Sequence, residues 1–249
     1  KDEIDWFSNN PLQSQEGIFK DLIQKGCKSI FGQDHNFKEI KSYKDFTKNI
    51  PIRTYEELFP YIEKIRNGEE NVLWSGKNKW FAKSSGTTNA KSKFIPVSKE
   101  SLYESHFKAG KDMLALYCNN FPQKSIFNGK GLMLGGSQTQ NKKHGFIEGD
   151  LSAILIENFP FWVKMHQNPN SEIVLLDDWE EKIKRITEKL LHKNITNMTG
   201  VPSWMYLLLQ NIVTEKGVNT LIEVWPNLEV YIHGGINFSS YKDIFKKLK

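Results

Sequence analysis

From Trp80 onward the chain repeats one unit: a short apolar run of strand length, a turn carrying glycine, and an amphipathic helix. The β-like runs cover 80–82, 94–97, 130–134, 173–176, 195–198 and 228–232. Helices are expected after Ser98, with Leu102, Ala109, Met113, Leu116 and Tyr117 on the apolar side, over 151–157, and over 179–192 behind Asp177 or Asp178. Two more are expected from the first-turn proline Pro202 to about 216, and from near Ser239. Short strands alternating with helices are the pattern of an α/β fold, and the expected architecture is a mixed β-sheet flanked by helices. The first quarter reads differently. Ile18, Phe19, Leu22 and Ile23 recur at helical spacing before Gly26, and Thr54-x-x-Glu57 is a capping box opening a helix with the stripe Leu58, Tyr61, Ile62 and Ile65. Residues 1–72 therefore read as a helical lead-in and 73–249 as the α/β part.

A chain of 249 residues, 39% hydrophobic and 25% charged, can bury a core as one large domain or two small ones, and is unlike collagen, coiled-coil or disordered chains. No apolar run approaches the ~18 residues of a membrane span, and no secretory signal pattern is visible, so a cytoplasmic protein that does not cross a bilayer is expected. Cys27 and Cys118 form no CxxC pairing, which argues against a disulfide scaffold or zinc ribbon and fits a reducing compartment. The net charge of +5 is carried by lysine, since Arg53, Arg66 and Arg185 are the only arginines among 34 basic residues. Lysine alternating with Asp and Glu along helix faces describes a solvated surface and not a nucleic-acid footprint. No HExxH, EF-hand loop or paired His/Cys spacing occurs, so no protein-held metal is expected. The chain opens Lys1-Asp2-Glu3 and closes Ile244-Phe245-Lys246-Lys247-Leu248-Lys249, in the middle of an amphipathic pattern, and reads as the front part of a longer one.

The most informative segment is Lys83-Ser84-Ser85-Gly86-Thr87-Thr88-Asn89-Ala90-Lys91-Ser92-Lys93 between two β-like runs. Successive N–H groups in a turn form an anion-binding concavity, the hydroxyls add donors, Gly86 permits close backbone approach, and lysine supplies a point charge. A polyphosphate suits such a loop. The same residues also make an ordinary hydrophilic hairpin loop, and composition alone leaves the two readings balanced. It is not a Walker loop, because no GxxxxGK[ST] occurs. Gly135-Gly136-Ser137-Gln138-Thr139 imitates the first part of a GxSxG nucleophile elbow, which keeps a serine hydrolase as a minor alternative. Gly234-Gly235 after a strand reads by itself as a strand-to-helix turn, and His233 before it as a structural histidine. Trp204, Met205, Leu207 and Leu208 could wall an apolar ligand, but leucine and methionine at helical spacing are more often core, so any pocket is assigned to the preceding turn.

Ser84-Ser85-Gly86-Thr87-Thr88 followed by Lys93 and a β-run resembles the phosphate signature of the adenylate-forming superfamily, which includes acyl-CoA synthetases, peptide-synthetase adenylation domains and luciferases. The flanking text narrows the resemblance to the auxin-responsive Gretchen Hagen family of acyl-acid amido synthetases, through Ile50-Pro51-Ile52-Arg53-Thr54-Tyr55-Glu56-Glu57-Leu58 and Ile65-Arg66-Asn67-Gly68-Glu69 upstream. Downstream, Thr199-Gly200-Val201-Pro202-Ser203-Trp204, Val224-Trp225-Pro226-Asn227-Leu228-Glu229 and Ile232-His233-Gly234-Gly235 resemble its bacterial members. Ala90 and Ser92 depart from the pattern, which touches the loop's shape but not its hydroxyls or Lys93.

The resemblance implies activation of a small-molecule carboxylic acid by ATP to an acyl-adenylate, with loss of pyrophosphate, then transfer to an amine, usually of an amino acid. It implies that Ser84, Ser85, Gly86, Thr87, Thr88 and Lys93 hold the phosphates, with Thr87 and Lys93 catalytic, and that Mg²⁺ arrives with the nucleotide. It implies that Gly234-Gly235 passes beside the adenine, and that Thr199, Gly200, Val201 and His233 border the acyl group. The chain would then be the incomplete N-terminal part of an adenylation domain. The downstream Mg²⁺-placing and ribose-binding motifs and the small C-terminal domain are absent from these 249 residues, so this segment alone is expected not to turn over. A coenzyme A ligase or a non-catalytic nucleotide-binding homologue are the alternatives.

Overall fold

A computed structural model describes residues 1–84, 92–140 and 145–248. Their contacts divide the chain into two compact units, residues 1–116 with 139–149, and residues 117–138 with those from 150 on. The helices are α1 (Asp2–Asn9), α2 (Pro11–Gly26), α3 (Ile30–Asp34), α4 (Tyr43–Asn49), α5 (Tyr55–Arg66), α6 (Lys108–Asn120), α7 (Leu151–Glu157), α8 (Phe161–His166), α9 (Ser171–Val174), α10 (Trp179–Leu190), α11 (Pro202–Lys216), α12 (Leu221–Val224) and α13 (Lys242–Leu248). The strands are β1 (Trp80–Lys83), β2 (Phe94–Val97), β3 (Lys130–Met133), β4 (Gln138–Gln140), β5 (Ile147–Gly149), β6 (Ile195–Gly200) and β7 (Val230–His233).

In the first unit, α1 to α5 precede a four-stranded mixed sheet of order β2-β1-β5-β4. β1 pairs antiparallel with β2 from Trp80↔Val97 to Lys83↔Phe94, and parallel with β5 from Trp80↔Ile147. The capping box forms as expected. The Glu57 N–H donates to the Thr54 hydroxyl at 3.3 Å, while the Glu57 carboxylate accepts from the Thr54 N–H at 2.6 Å and from the Thr54 hydroxyl at 3.0 Å, two bonds that hold the carboxyl below its usual range. The helix so started buries Ile62 and Ile65 with Val72, Phe81 and Phe146. Arg66 at its end lies 4.1 Å from the Phe94 ring centroid and 3.2 Å from the Glu148 carboxylate, which ties α5 to β2 and β5.

In the second unit, β3, β6 and β7 form a parallel sheet with β6 in the middle, in register from Gly131↔Asn197 to Met133↔Thr199 on one side and from Asn197↔Val230 to Gly200↔His233 on the other. Helices α7 to α10 lie in the connection from β3 to β6, and α11 and α12 in that from β6 to β7, as parallel pairing requires. The core joins Leu132, Ile186, Leu190, Ile195, Met205, Leu208, Leu209 and Ile212 with Trp225, which has no exposed surface and donates its indole N–H to the Leu190 carbonyl at 3.1 Å.

One expectation needs correcting. Residues 173–176 are not a strand: α9 turns through Ser171–Val174, with Val174 buried against the core, because a four-residue apolar run fits a buried helical turn as well as a strand. The helix after Ser98 is a π-helical stretch (Ser101–Phe107) running into α6, and although Leu102 is fully buried, no α6 residue is, Met113 and Leu116 being about two-fifths exposed. A periodic stripe marks a face, not how completely it is covered. Strands β4 and β5, three residues each, were too short to announce themselves. Met205 and Leu208 are core, while Trp204 and Leu207 are about half exposed.

Replacing Trp225 by Phe removes a buried donor and leaves a void, and is expected to lower stability by roughly 2–3 kcal/mol. Trp204→Phe at a half-exposed site is expected to cost under ~1 kcal/mol. Urea denaturation of both variants checks this, and equal losses would contradict the assignment of Trp225 as the core anchor.

Candidate functional site

The first unit holds the ends of the hydroxyl-rich loop. The β1–β2 pairing places Ser84 opposite Lys93, with the Ser84 N–H donating to the Lys93 carbonyl at 2.9 Å and the Lys93 N–H to the Ser84 hydroxyl at 3.3 Å. Ser85, Gly86, Thr87 and Thr88 lie outside the described residues. Lys93 extends its ammonium to 5.1 Å from the Tyr55 ring centroid and 3.7 Å from the Glu56 carboxylate, both on the first turn of α5, and keeps 44% of its side chain exposed. It is a charge held at the loop's end and open to solvent.

The second unit, taken by itself, presents the carboxyl ends of three parallel strands, the edge where open α/β sheets take ligands. Register sets Gly200 beside His233 and Thr199 beside Ile232, while the Leu134 N–H donates to the Thr199 carbonyl at 2.9 Å. Gly235 adopts φ +83°, a region L side chains avoid, and a Cβ there would sit 3.3 Å from Val201. Nothing lies within 4 Å of a Cβ built on Gly234, so the backbone faces open space. Thr199, Gly200, Val201, His233, Gly234 and Gly235 thus form one neighbourhood, with the His233 imidazole stacked on Phe238 at 4.2 Å. Val201 caps α11 without a side-chain acceptor, and Pro202 occupies the first turn as expected.

The turn after β3 completes this edge. The Gly136 N–H donates to the Ser152 hydroxyl at 3.1 Å, the Ser137 N–H to Asp150 at 3.2 Å, and the Asp150 N–H to the Ser137 carbonyl at 2.9 Å. Asp150 packs so closely that a Cβ on Gly136 would lie 1.8 Å from its carboxylate oxygen, which is why glycine stands there. The chain then runs into β4, a strand, so the strand–turn–helix context of a nucleophile elbow is missing and the serine hydrolase reading is dropped.

The GH3 family N-terminal domain matches residues 1–249. The chain belongs to the GH3 family. It is 26% identical over 189 residues to a jasmonoyl–L-amino acid synthetase, JAR4, of Nicotiana attenuata, covering 73% of this chain and 32% of that protein. It is 28% identical over 131 residues to the 4-substituted benzoates-glutamate ligase GH3.12 of Arabidopsis thaliana, covering 51% of this chain and 21% of that one. The fold resembles that of the AtGH3.15 acyl acid amido synthetase in complex with 2,4-DB, with a TM-score of 0.70 at 16% identity over 95% of this chain and 50% of the other. A second structure of the GH3.15 acyl acid amido synthetase gives 0.68 at 14% identity. The chain spans about a third of the length of the JAR4 relative.

Two side chains of this GH3 domain that sequence reasoning missed shape the strand-end turns. Tyr231 donates its phenol O–H to the Gly200 carbonyl at 2.9 Å, and burial pushes its pKa up, so it stays a donor. Its position two residues before His233 on a strand, hence on the same face, was the available signal. Lys182, only 4% exposed, donates from its ammonium to the Gly135 carbonyl at 3.3 Å. Its signal was a lysine on the apolar stripe of α10, three residues after Trp179 and four before Ile186. Burial pushes the Lys182 pKa down against the opposing pull of Asp177 and Asp150.

Because the folded-state pKa lies below the unfolded value of ~10.4, the unfolded chain binds more protons between the two, and stability rises with pH across that window. Thermal melts of the native protein and Lys182→Met from pH 7 to 10 are expected to show the native protein gaining relative to the variant. A constant difference would mean that Lys182 does not carry the strained charge.

Proposed function

We propose that the complete protein containing this GH3 domain activates a small-molecule carboxylic acid with ATP, as an acyl-adenylate, and transfers the acyl group to an amine, that of an amino acid by the naming of its relatives. The observation that carries the reading is the β1–β2 pairing, in a chain belonging to the GH3 family, that sets Ser84 and Lys93 against each other at the ends of a loop rich in hydroxyls. Family membership and the acid–amino acid ligase names of the similar proteins support it.

ATP would supply the adenylyl group and a pyrophosphate leaving group, with Mg²⁺ arriving on its phosphates. Each unit by itself suits part of such a ligand: in the first Lys93 is a solvent-accessible cation, and in the second Gly234 offers bare backbone with open space in front of it. In this reading Ser84, Ser85, Gly86, Thr87, Thr88 and Lys93 hold the phosphates. Lys93 and Thr87 oppose the negative charge that grows on the departing group, as fixed cations and donors do best. Gly234 and Gly235 flank a flat base, and Thr199, Gly200, Val201 and His233 border the acid, with Tyr231 steadying the Gly200 carbonyl. Residues 1–249 are then the N-terminal part of an adenylation domain, the downstream part of the complete protein completing the reaction. The free thiols Cys27 and Cys118 suit a cytoplasmic enzyme.

In the complete protein, ATP–pyrophosphate exchange is expected to require an added carboxylic acid and to fall by about 10²-fold in Lys93→Ala, the loss typical of a transition-state charge contact. Exchange that survives this substitution would remove the loop from catalysis. Nucleotide binding without exchange for any acid would instead favour a binding-only homologue.

A further inference from the structure

Among the described residues, the partners of the Lys93 ammonium are Tyr55 and Glu56 on α5. We infer that Tyr55, on the first turn of α5, is the positioning residue for Lys93, its hydroxyl fixing the backbone of β2 and its ring seating the ammonium. The inference rests on the reading that Lys93 acts on the phosphates.

Among the described residues β2 is the edge strand of its sheet, so one row of its backbone groups has no strand partner there. Tyr55 supplies one. The Phe94 N–H donates to the Tyr55 hydroxyl at 2.9 Å, and that hydroxyl donates to the Phe94 carbonyl at 3.3 Å. A single phenol therefore satisfies both outward groups of the residue next to Lys93. The same side chain presents its ring face to the Lys93 ammonium at 5.1 Å, within cation–π range. α5 is itself held by the Thr54–Glu57 capping box at one end, by Ile62 and Ile65 in the core, and by Arg66 against Phe94 and Glu148 at the other. The seat is thus anchored to a fixed helix.

Glu56 is the rival partner. Its carboxylate is 3.7 Å from Lys93, but the pair is exposed, 69% on the Glu56 side, and exposed ion pairs hold geometry weakly. A carboxylate also competes with phosphate for the ammonium, whereas an aromatic face leaves the N–H donors free to turn toward an incoming anion. The ring can therefore orient Lys93 without neutralising it.

Two measurements test this. Lysines of the ligand-free protein are ¹³C-dimethylated, and the Lys93 resonance is assigned by its loss in Lys93→Arg. Its methyl protons are expected upfield of the other lysines through the ring current of Tyr55, a displacement that Tyr55→Leu abolishes and Tyr55→Phe keeps. An unshifted Lys93 signal in the native protein overturns the inference even if Tyr55→Leu fails to fold. In the complete protein, Tyr55→Leu is expected to slow ATP–pyrophosphate exchange about tenfold, and Tyr55→Phe no more than about threefold. Added to Lys93→Ala, Tyr55→Leu should cause no further loss. A tenfold loss that persists in the Lys93→Ala background would mark Tyr55 as merely structural. Full exchange in Tyr55→Leu with loss in Lys93→Ala would sink the positioning role alone, and full exchange in Lys93→Ala would sink the phosphate reading and this inference together.

Discussion

The second unit depends on the position of β6 between two parallel neighbours. A central parallel strand must be covered on both faces, and Ile195 and Met198 are accordingly buried in the core built with α10, α11 and Trp225. Parallel pairing also forbids tight hairpins, so each connection must travel back through helices, and this sends every strand in the same direction. All three carboxyl ends then fall on one edge. Glycine stands along that edge where neighbours crowd the backbone, Ile156 at Gly135, Asp150 at Gly136 and Met205 at Gly200, and where the chain takes φ +83° at Gly235.

That edge holds polar groups at a cost that the core does not ask for. Lys182 could be an apolar residue on its stripe and α10 would pack as well, yet it stands almost without exposed surface, tied to the Gly135 carbonyl. Buried charge is weak evidence for stability and better evidence for a fixed local geometry. Around it the Asp150, Ser137, Gly136 and Ser152 bonds fix the turn from the other side, and Tyr231 does the same for Gly200. These strand-end turns are pinned by side chains from other elements. The turns at this edge are thus held rigid, the condition under which, in the proposed function, recognition would need no reorganisation.

The first unit solves a different problem. Lys93 lies beside β2, an edge strand among the described residues, and an edge strand by itself leaves one row of backbone groups unpaired. Helix α5 supplies the missing rigidity through Tyr55 on Phe94 and Arg66 across Phe94 to Glu148, so both ends of the helix grip the same sheet. The segment that carries the family likeness, Ile50 to Leu58, thereby gains a physical role, because it starts the helix that braces the strand following the loop.

What could be read from the sequence was whatever rests on local chemistry. The Thr54–Glu57 box, the first-turn Pro202, the 94–97 and 151–157 elements and the loop's hydroxyl content are each settled by neighbours in the chain, and the capping box, the proline and both elements appear in the structure where the residues put them. What stayed hidden rests on partners far away in the sequence. Residues 173–176 are not a strand because of where the core lies, and Lys182 and Tyr231 gain their meaning from carbonyls that sequence alone does not bring near them. Tyr55 shows the boundary most clearly, because its place on the stripe-bearing helix was legible while the 39-residue reach of its hydroxyl to Phe94 was not. Motif residues announce chemistry by type and spacing. The residues that aim them are distributed over the fold, so positioning becomes visible only once backbone register is known, and it is register, in β1–β2 and in β3–β6–β7, that turns scattered glycines, hydroxyls and lysines into two coherent edges.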